Sequence, residues 1–479
     1  MKEYDLIVIG SGPAGEKAAV KAAYFGFTVA LIEKEHHFGG AGVQTGTLPS
    51  KALKETALYL SGKYHKGVFG VDQKLSHKAD VSDFMFRKNV VIGDVGNTVK
   101  HNLLNHRVDL FQGHAEFVDD HQISIRGRVE ETIYGRNIII ATGSYPFHPK
   151  NIPFDGLRIH DSDSILSIKQ FPKSLCVLGA GVIGCEYATI FAAMGIKVFI
   201  VNDKDKILGF LDHELSQALI AQMSKEGIVV LFNNSVVGFD VPDSTEDDLR
   251  ITLASGEILT VDMFLFAAGR SGCTLNLGCK NAGIKTGERE SIIVNEKFQT
   301  NVPHIYAVGD VIGFPALAST GMDQGRIAIA HIFKTGDLEI LSDIFPYGIY
   351  TVPEVSMVGI SEDYARATGK DYVLGYSYYR DITRGKIMAD RDEGFLKMVV
   401  EKQTKIIKGI HIIGNMATEL IHYGMSLVKD KKTLNEVIAT VFNYPSFHDL
   451  YKYAAYDALG NLSGKKIKKA GELLIDNEK

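Results

Sequence analysis

Two stretches of this sequence repeat one arrangement of glycines ahead of one informative side chain. In "DLIVIGSGPAGEKAAVKAAYFGFTVALIEK", Gly10, Gly12 and Gly15 spell G-x-G-x-x-G, and Glu33 follows 23 residues after Gly10. In "SLCVLGAGVIGCEYATIFAAMGIKVFIVNDKDK", Gly179, Gly181 and Gly184 do the same, with Asn202 again 23 residues beyond the first glycine. Such glycines permit a tight turn and let the backbone approach a pyrophosphate, which rests on the N-terminus of the next helix. A carboxylate in the place of Glu33 accepts hydrogen bonds from a ribose diol. The second copy differs at that place. A carboxylate there would favour NAD and repel a 2′-phosphate, whereas the neutral Asn202 can bond either ribose. Lys204 and Lys206 either balance a phosphate or are ordinary solvated charges. The expectation is a site that accepts both NADH and NADPH.

The elements that must hold these residues are legible around them. Residues 5–9 form an apolar run that reads as a buried parallel strand. A helix with apolar positions at helical spacing follows, and a second strand, "TVALIE", ends at Glu33. The second copy repeats strand, helix and strand, ending in "KVFIV". An internal repeat on this scale predicts two Rossmann-like domains and two nucleotide sites.

Composition sets the outer bounds. A chain of 479 residues with 45% apolar and 23% charged residues is globular and long enough for about two to four domains. Its net charge of −5 is too small to argue for a nucleic-acid partner. "MKEYDLIVIG" reads as a first strand and not as a signal peptide, and no run approaches the roughly 18 apolar residues of a membrane span. The four cysteines, Cys176, Cys185, Cys273 and Cys279, form no CxxC and no metal-ligand spacing. Unpaired thiols and a reducing cytoplasm follow as the simplest reading. His36 and His37 read as loop residues without metal partners, so no metal site is expected. The lysine-rich end, "SGKKIKKAGELLIDNEK", reads as a solvated terminus.

Further landmarks fall in a recognisable order. Ala141-Thr142-Gly143 closes a strand, Ala267-Ala268-Gly269-Arg270 closes another, and Gly309-Asp310 follows "HIYAV". With the two Gly-rich units, these resemble the two-dinucleotide-binding flavoproteins that include lipoamide dehydrogenase and glutathione reductase, from residue 4 to about 462. The resemblance implies an α/β chain with two Rossmann-like dinucleotide-binding domains, for FAD and NAD(P), plus a C-terminal α+β interface domain. It places the first part of the FAD domain at 1–150, the NAD(P) domain at 151–270 and the rest of the FAD domain at 271–345. The interface domain and tail occupy 346–479. It also implies a homodimer, with higher homo-oligomers left open. FAD would use Gly10, Gly12, Gly15, Glu33, Gly40, Thr142, Gly143, Gly309 and Asp310, with the segment "ALASTGMDQGR" from Ala316, including Ala318, bordering the flavin ring. NAD(P)H would use Gly179, Gly181, Gly184, Asn202, Lys204, Gly269 and Arg270. Lys51 matches the lysine beside flavin N5, and Glu186 matches its usual carboxylate partner. A cation there stabilises negative charge on reduced flavin.

Two departures from that family agree with each other. "GGAGVQTGTLPSKALKE" resembles the segment that carries the redox cysteines, but Gly42 and Thr47 stand in their places. The C-terminal motif H-P-T, with an acid four residues after its proline, is here Tyr444-Pro445-Ser446 with Asp449. Tyr444 can donate a hydrogen bond, but an ordinary pKa near 10 makes it a poor base; His448 is the nearby alternative. Thr47 offers a hydrogen bond near the flavin, and Gly42 leaves space. "GTLPSKALKE", "NDKDKILGFLDHELS" and "VFNYPSFHDLYKYAA" resemble the branch that exchanges hydride between pyridine nucleotides. The expectation is ping-pong exchange from NADPH to NAD+ through FAD at one nucleotide site, with NADH and NADP+ as its other partners, and it needs no disulfide. The rival is an NAD(P)H dehydrogenase that passes electrons to a quinone or other diffusible acceptor.

Overall fold

The computed structural model describes residues 1–62, 79–128, 130–244, 247–336, 340–388 and 394–464, so the lysine-rich end from residue 465 lies outside the described residues. The chain divides into two compact units. One comprises residues 1–53, 80–171 and 266–341, and the other 54–79, 172–265 and 342–479.

The first unit is built on the strand Lys2–Ile9, whose apolar end is buried on both faces. It pairs in parallel with Val29–Glu33, Leu6 opposite Val29 and Ile9 opposite Ile32. On its other side it pairs in parallel with Glu130–Ile140, Ile9 opposite Ile140. Asp109–Phe117 and Ile305–Ala307 extend this parallel sheet at its two edges. Parallel neighbours need a crossover, and the helix Pro13–Tyr24 supplies it between the first two strands. Residues 113–117 and 130–134 pair antiparallel with Gln122–Gly127, the sixth strand of the same sheet. The crossover helix packs on the helix Ala318–Phe333 at glycine contacts: a Cβ on Gly325 would strike the Ala14 carbonyl.

The second unit repeats the crossover. Ser174–Leu178 and Lys197–Val201 pair in parallel around the helix Val182–Ala193, with Leu175 opposite Val198. Val229–Leu231 adds a third parallel strand, and Met263–Phe266 lies on the other side of Ser174–Leu178. An antiparallel meander of Val236–Asp240, Leu249–Leu253 and Ile258–Val261 follows the same half. Its C-terminal half is an antiparallel sheet in the order Tyr347–Ile349, Val355–Gly359, Ile407–Ile413, Phe395–Glu401, Tyr372–Tyr378. The helices Ala417–Lys429 and Asp449–Leu462 bring Ile421, Leu427, Tyr451 and Ala454 into one core with Leu396, Met398 and Ile410. The expected architecture, two Rossmann-like sheets and a C-terminal α+β portion, is the one the chain adopts. Among the described residues no helix is long and apolar enough to cross a membrane.

Candidate functional site

The two glycine loops have one geometry. Gly10 has φ +104° and Gly179 has φ +106°, a left-handed conformation that side chains disfavour. The Gly10 N–H donates to the Ile32 carbonyl at 2.8 Å, and the Gly179 N–H to the Val201 carbonyl at 2.9 Å. A Cβ on Gly15 would strike the Gly10 carbonyl, and one on Gly184 would strike that of Gly179. Gly12 and Gly181 stand as extended N-caps, and neither helix end has a side-chain cap. The first-turn N–H groups of both helices are therefore positioned to meet an anion.

The residues that end the second strands also correspond, and here the two sites part. Glu33 Oε2 accepts from the Ser11 N–H at 2.9 Å and from the Ser11 hydroxyl at 2.6 Å. That hydroxyl in turn accepts from the Gly39 N–H. Asn202 Oδ1 accepts from the Ala180 N–H at 3.2 Å, the residue that corresponds to Ser11. Its amide nitrogen donates to the carbonyls of Lys204 at 3.1 Å and Lys206 at 3.0 Å. Both donor protons of that amide are thus committed to the loop, and the amide's part there is to hold it. Asp203, Lys204, Asp205 and Lys206 are all exposed on it.

Beside the first loop lies a cavity of about 650 Å³, bordered by Ser11, Pro13, Gly39, Gly42, Thr47 and Ala318. Gly40 closes on the glycine loop, where a Cβ would come within 2.8 Å of Gly12 Cα. Gly42 also lacks room for a side chain without adjustment, since its Cβ would lie 2.8 Å from Pro13 Cγ. Thr142 Oγ1 is buried and has no hydrogen-bond partner among the described residues. Gly143, at φ +73°, faces open space. A cradle that side chains would fill and an orphaned buried hydroxyl suit an extended polar ligand such as FAD.

Asp310 Oδ2 accepts from the Ser144 hydroxyl at 3.0 Å. Arg270 clasps the same serine, from Nε to Oγ and from a terminal nitrogen to its carbonyl, both at 2.8 Å. Its other terminal nitrogen reaches Ser162 and Asp163. Arg270 thus braces the first unit, after a Gly269 whose φ is +140°. The Gly309 N–H donates to the Gln324 side chain at 2.8 Å. The sequence reading did not single out Ser11, Ser144 or Gln324, although Ser11 and Ser144 sit directly beside motif glycines.

Lys51, in the first unit on the helix Thr47–Leu60, donates to the Ser50 hydroxyl at 3.2 Å. In the second unit, Glu186 is buried and accepts from the Tyr350 N–H at 3.0 Å. Gly179, Gly181, Gly184, Asn202, Lys204 and Tyr444 belong to that unit as well. Tyr444 is 68% exposed and shares a 2.9 Å hydrogen bond with the Thr383 hydroxyl. His448 packs against Phe442 and Tyr451, and burial pushes its pKa below the usual histidine value. All four cysteines are free, and burial pushes the Cys176 thiol up to about 12, far from a reactive thiolate.

Residues 4–325 match the sequence profile of the pyridine nucleotide-disulphide oxidoreductases, and residues 345–455 match that of their dimerisation domain. A soluble pyridine nucleotide transhydrogenase of Mycobacterium bovis is 41% identical over 465 residues, which is 96% of this chain and 98% of that protein. One from Pectobacterium atrosepticum is 38% identical with the same coverage. Among solved structures, the HOCl-induced flavoprotein disulfide reductase RclA of Escherichia coli superposes with a TM-score of 0.83 at 27% identity. That match covers 94% of this chain and 99% of the other.

Proposed function

The chain belongs to the pyridine nucleotide-disulphide oxidoreductase family, as an enzyme with FAD and NAD(P)H for cofactors, and from that premise we propose that it exchanges hydride between NADPH and NAD+ by a ping-pong mechanism. It acts as a Si-specific transhydrogenase without a redox-active disulfide, and NADH and NADP+ are its remaining partners. FAD, when bound, would supply the chemistry of hydride transfer between the nicotinamides.

The protein's part is positioning and electrostatics. The uncapped helix N-terminus after Gly12 receives one pyrophosphate, and the one after Gly181 receives the other. Glu33 accepts from a ribose hydroxyl with the remaining lone pair on Oε1, since Oε2 takes both Ser11 donors and Oε1 the Glu35 N–H. Thr142 gains a partner for its orphaned hydroxyl. Lys51 offsets negative charge beside the flavin ring, and Thr47 offers a hydroxyl on the wall of the cavity beside the first glycine loop. Tyr444 acts as a hydrogen-bond donor and not as a base. Glu186, anchored on the Tyr350 N–H, gives electrostatic support. No step calls for a thiol at position 42 or 47.

The observation that carries the reading is the second loop. A carboxylate in the place of Asn202 would exclude a 2′-phosphate, but an amide there holds a loop of two lysines and two aspartates. One site with balanced charge can take NADPH, release NADP+ and then take NAD+. The protein works as a homodimer through residues 345–455 in a reducing cytoplasm, without a membrane or nucleic-acid partner.

Anaerobic turnover with NADPH and thio-NAD+ tests this, with parallel double-reciprocal lines as the expected result. One observation favours a second reading, an NAD(P)H dehydrogenase with a quinone-like acceptor: Val43, Leu48, Val99 and Met322 make the cavity wall near Gly42 apolar. Fast NADPH oxidation with a quinone but negligible transfer to thio-NAD+ would replace the first reading with the second.

A further inference from the structure

Away from the nucleotide loops, Asp120, His121 and His304 each offer one metal-ligand atom, and these atoms lie within 4.8 Å of one another. Asp120 and His121 sit in the turn between Asp109–Phe117 and Gln122–Gly127, and His304 directly precedes the strand Ile305–Ala307. All belong to the first unit, in two segments separated by residues 172–265 of the second. No spacing in the sequence joins them.

The turn is built stiffly. Asp119 Oδ1 accepts from the N–H groups of His121 at 2.8 Å and Gln122 at 2.7 Å. The His121 ring lies between Tyr134, 5.1 Å away at 19°, and His304, 3.9 Å away at 7°. His121 Nδ1 is 2.7 Å from the Gly135 carbonyl. A carbonyl only accepts, so Nδ1 carries the proton and the Nε2 lone pair is left for another ligand. A second hydrogen bond of this kind is what orients metal-binding imidazoles generally. His304 Nε2 stands 2.8 Å from the Asp120 carbonyl and 3.7 Å from Asp120 Oδ2.

We propose that Asp120, His121 and His304 form a binding site for a divalent cation of the zinc, nickel or copper class. Two imidazoles and one carboxylate suit those ions better than magnesium or calcium, which prefer all-oxygen ligands. Ligands on a tetrahedral zinc with bonds of about 2.1 Å stand roughly 3.4 Å apart, close to the 3.7 Å between His304 Nε2 and Asp120 Oδ2. On binding, His304 changes tautomer: Nε2 gives its proton to solvent, Nδ1 takes one up so that the ring stays neutral, and the ion takes the freed Nε2 lone pair. The parallel rings must also part, because their in-plane lone pairs do not converge while stacked. Asp120 is exposed and free to turn inward. Three protein ligands leave the fourth position to water. The ion would tie the turn at 119–121 to residue 304 and so join two separate chain segments of the first unit.

The test is calorimetric titration of ZnCl2 into untagged, FAD-loaded protein, with Cu2+ electron paramagnetic resonance in parallel. One site per chain is expected, with two nitrogens in the Cu2+ spectrum and a thermal midpoint raised by Zn2+. Affinity should fall by at least about tenfold in H121Q and in H304Q, while a double H36A/H37A variant keeps it. An unchanged flavin spectrum confirms that each variant is folded. Failure of the wild type to bind, or wild-type affinity in H121Q or H304Q, would overturn the proposal.

Discussion

Lys397 gives the sharpest prediction. Its side chain is 1% exposed, in a strand buried along almost its whole length. The ammonium meets Asp212 Oδ1 at 2.9 Å, Glu362 Oε2 at 2.7 Å and Glu214 Oε2 at 2.7 Å. Asp212 is equally buried and begins the helix His213–Lys225 of the nucleotide-binding half, so one cation joins that half to the C-terminal sheet. K397M would remove the charge and keep the bulk. Losing one partner of a buried ion pair costs about 3–5 kcal/mol, because the other charge stays behind uncompensated. Asp212 keeps hydrogen bonds from the N–H groups of Glu214 and Glu362, and Glu214 can hydrate, so the lower end, about 3 kcal/mol, applies. At about 2 °C per kcal/mol for a cooperative unit of roughly 250 residues, the thermal midpoint falls by about 6 °C. Circular dichroism of FAD-loaded protein reads that shift, and K397M/D212N should recover part of it. A K397M midpoint within about 1 °C of wild type would refute the reasoning, and so would a double variant no better than the single one.

The same cluster sets a pH dependence. Burial pushes the His411 pKa below its ordinary value, so folding holds it neutral and stability is lost as pH falls through about 6.5, where the unfolded histidine takes up a proton. Burial opposes ionisation of Asp212 and Glu362. Lys397 and the Glu362 N–H outweigh it at Asp212, and Lys397 and Arg366 at Glu362, so both stay below the usual carboxylate range. Their contribution is present above about pH 4 and lost in acid, so urea midpoints should decline from pH 7 to 5 and again below 4. A flat profile from 7 to 5 would count against His411. G15A and G184A each force a Cβ into a backbone carbonyl, so G15A should lose FAD while G184A keeps a normal flavin spectrum and loses NADPH reduction, as stopped-flow spectroscopy would show. N202D puts a carboxylate against the two lysine carbonyls that now accept from Nδ2, so the NADPH-to-NADH ratio of kcat/KM should fall by about tenfold or more. T142V removes a hydroxyl with no partner among the described residues, so the apoprotein midpoint should hold while FAD affinity drops by about tenfold in a fluorescence titration.

What could be read from the sequence follows the range of the forces involved. The glycine loops were legible because turn, helix start and strand end lie within 23 residues, and the severest clash that demands Gly15 is with the Gly10 carbonyl. The strands were legible because parallel sheets bury both faces, which leaves runs such as Leu6–Ile9 without polar residues. The direction of one amide was not legible. Asn202 sits in the place that the repeat predicts, but its donors turn back to Lys204 and Lys206, a fact that composition and spacing do not carry. The His121–His304 stack and the Lys397–Asp212 pair arise where the fold joins residues 183 (304 − 121) and 185 positions apart. The second of these did leave a mark. "FLKMVVE" reads as a buried strand except for its lysine, and a charge in such a run is too costly to stand alone. The sequence therefore announces at Lys397 that a carboxylate must come from elsewhere, without saying from where. The three carboxylates that answer it, Asp212, Glu214 and Glu362, come from the nucleotide-binding half and the C-terminal portion. The polar exception in an apolar run thus marks a long-range contact that periodicity alone passes over.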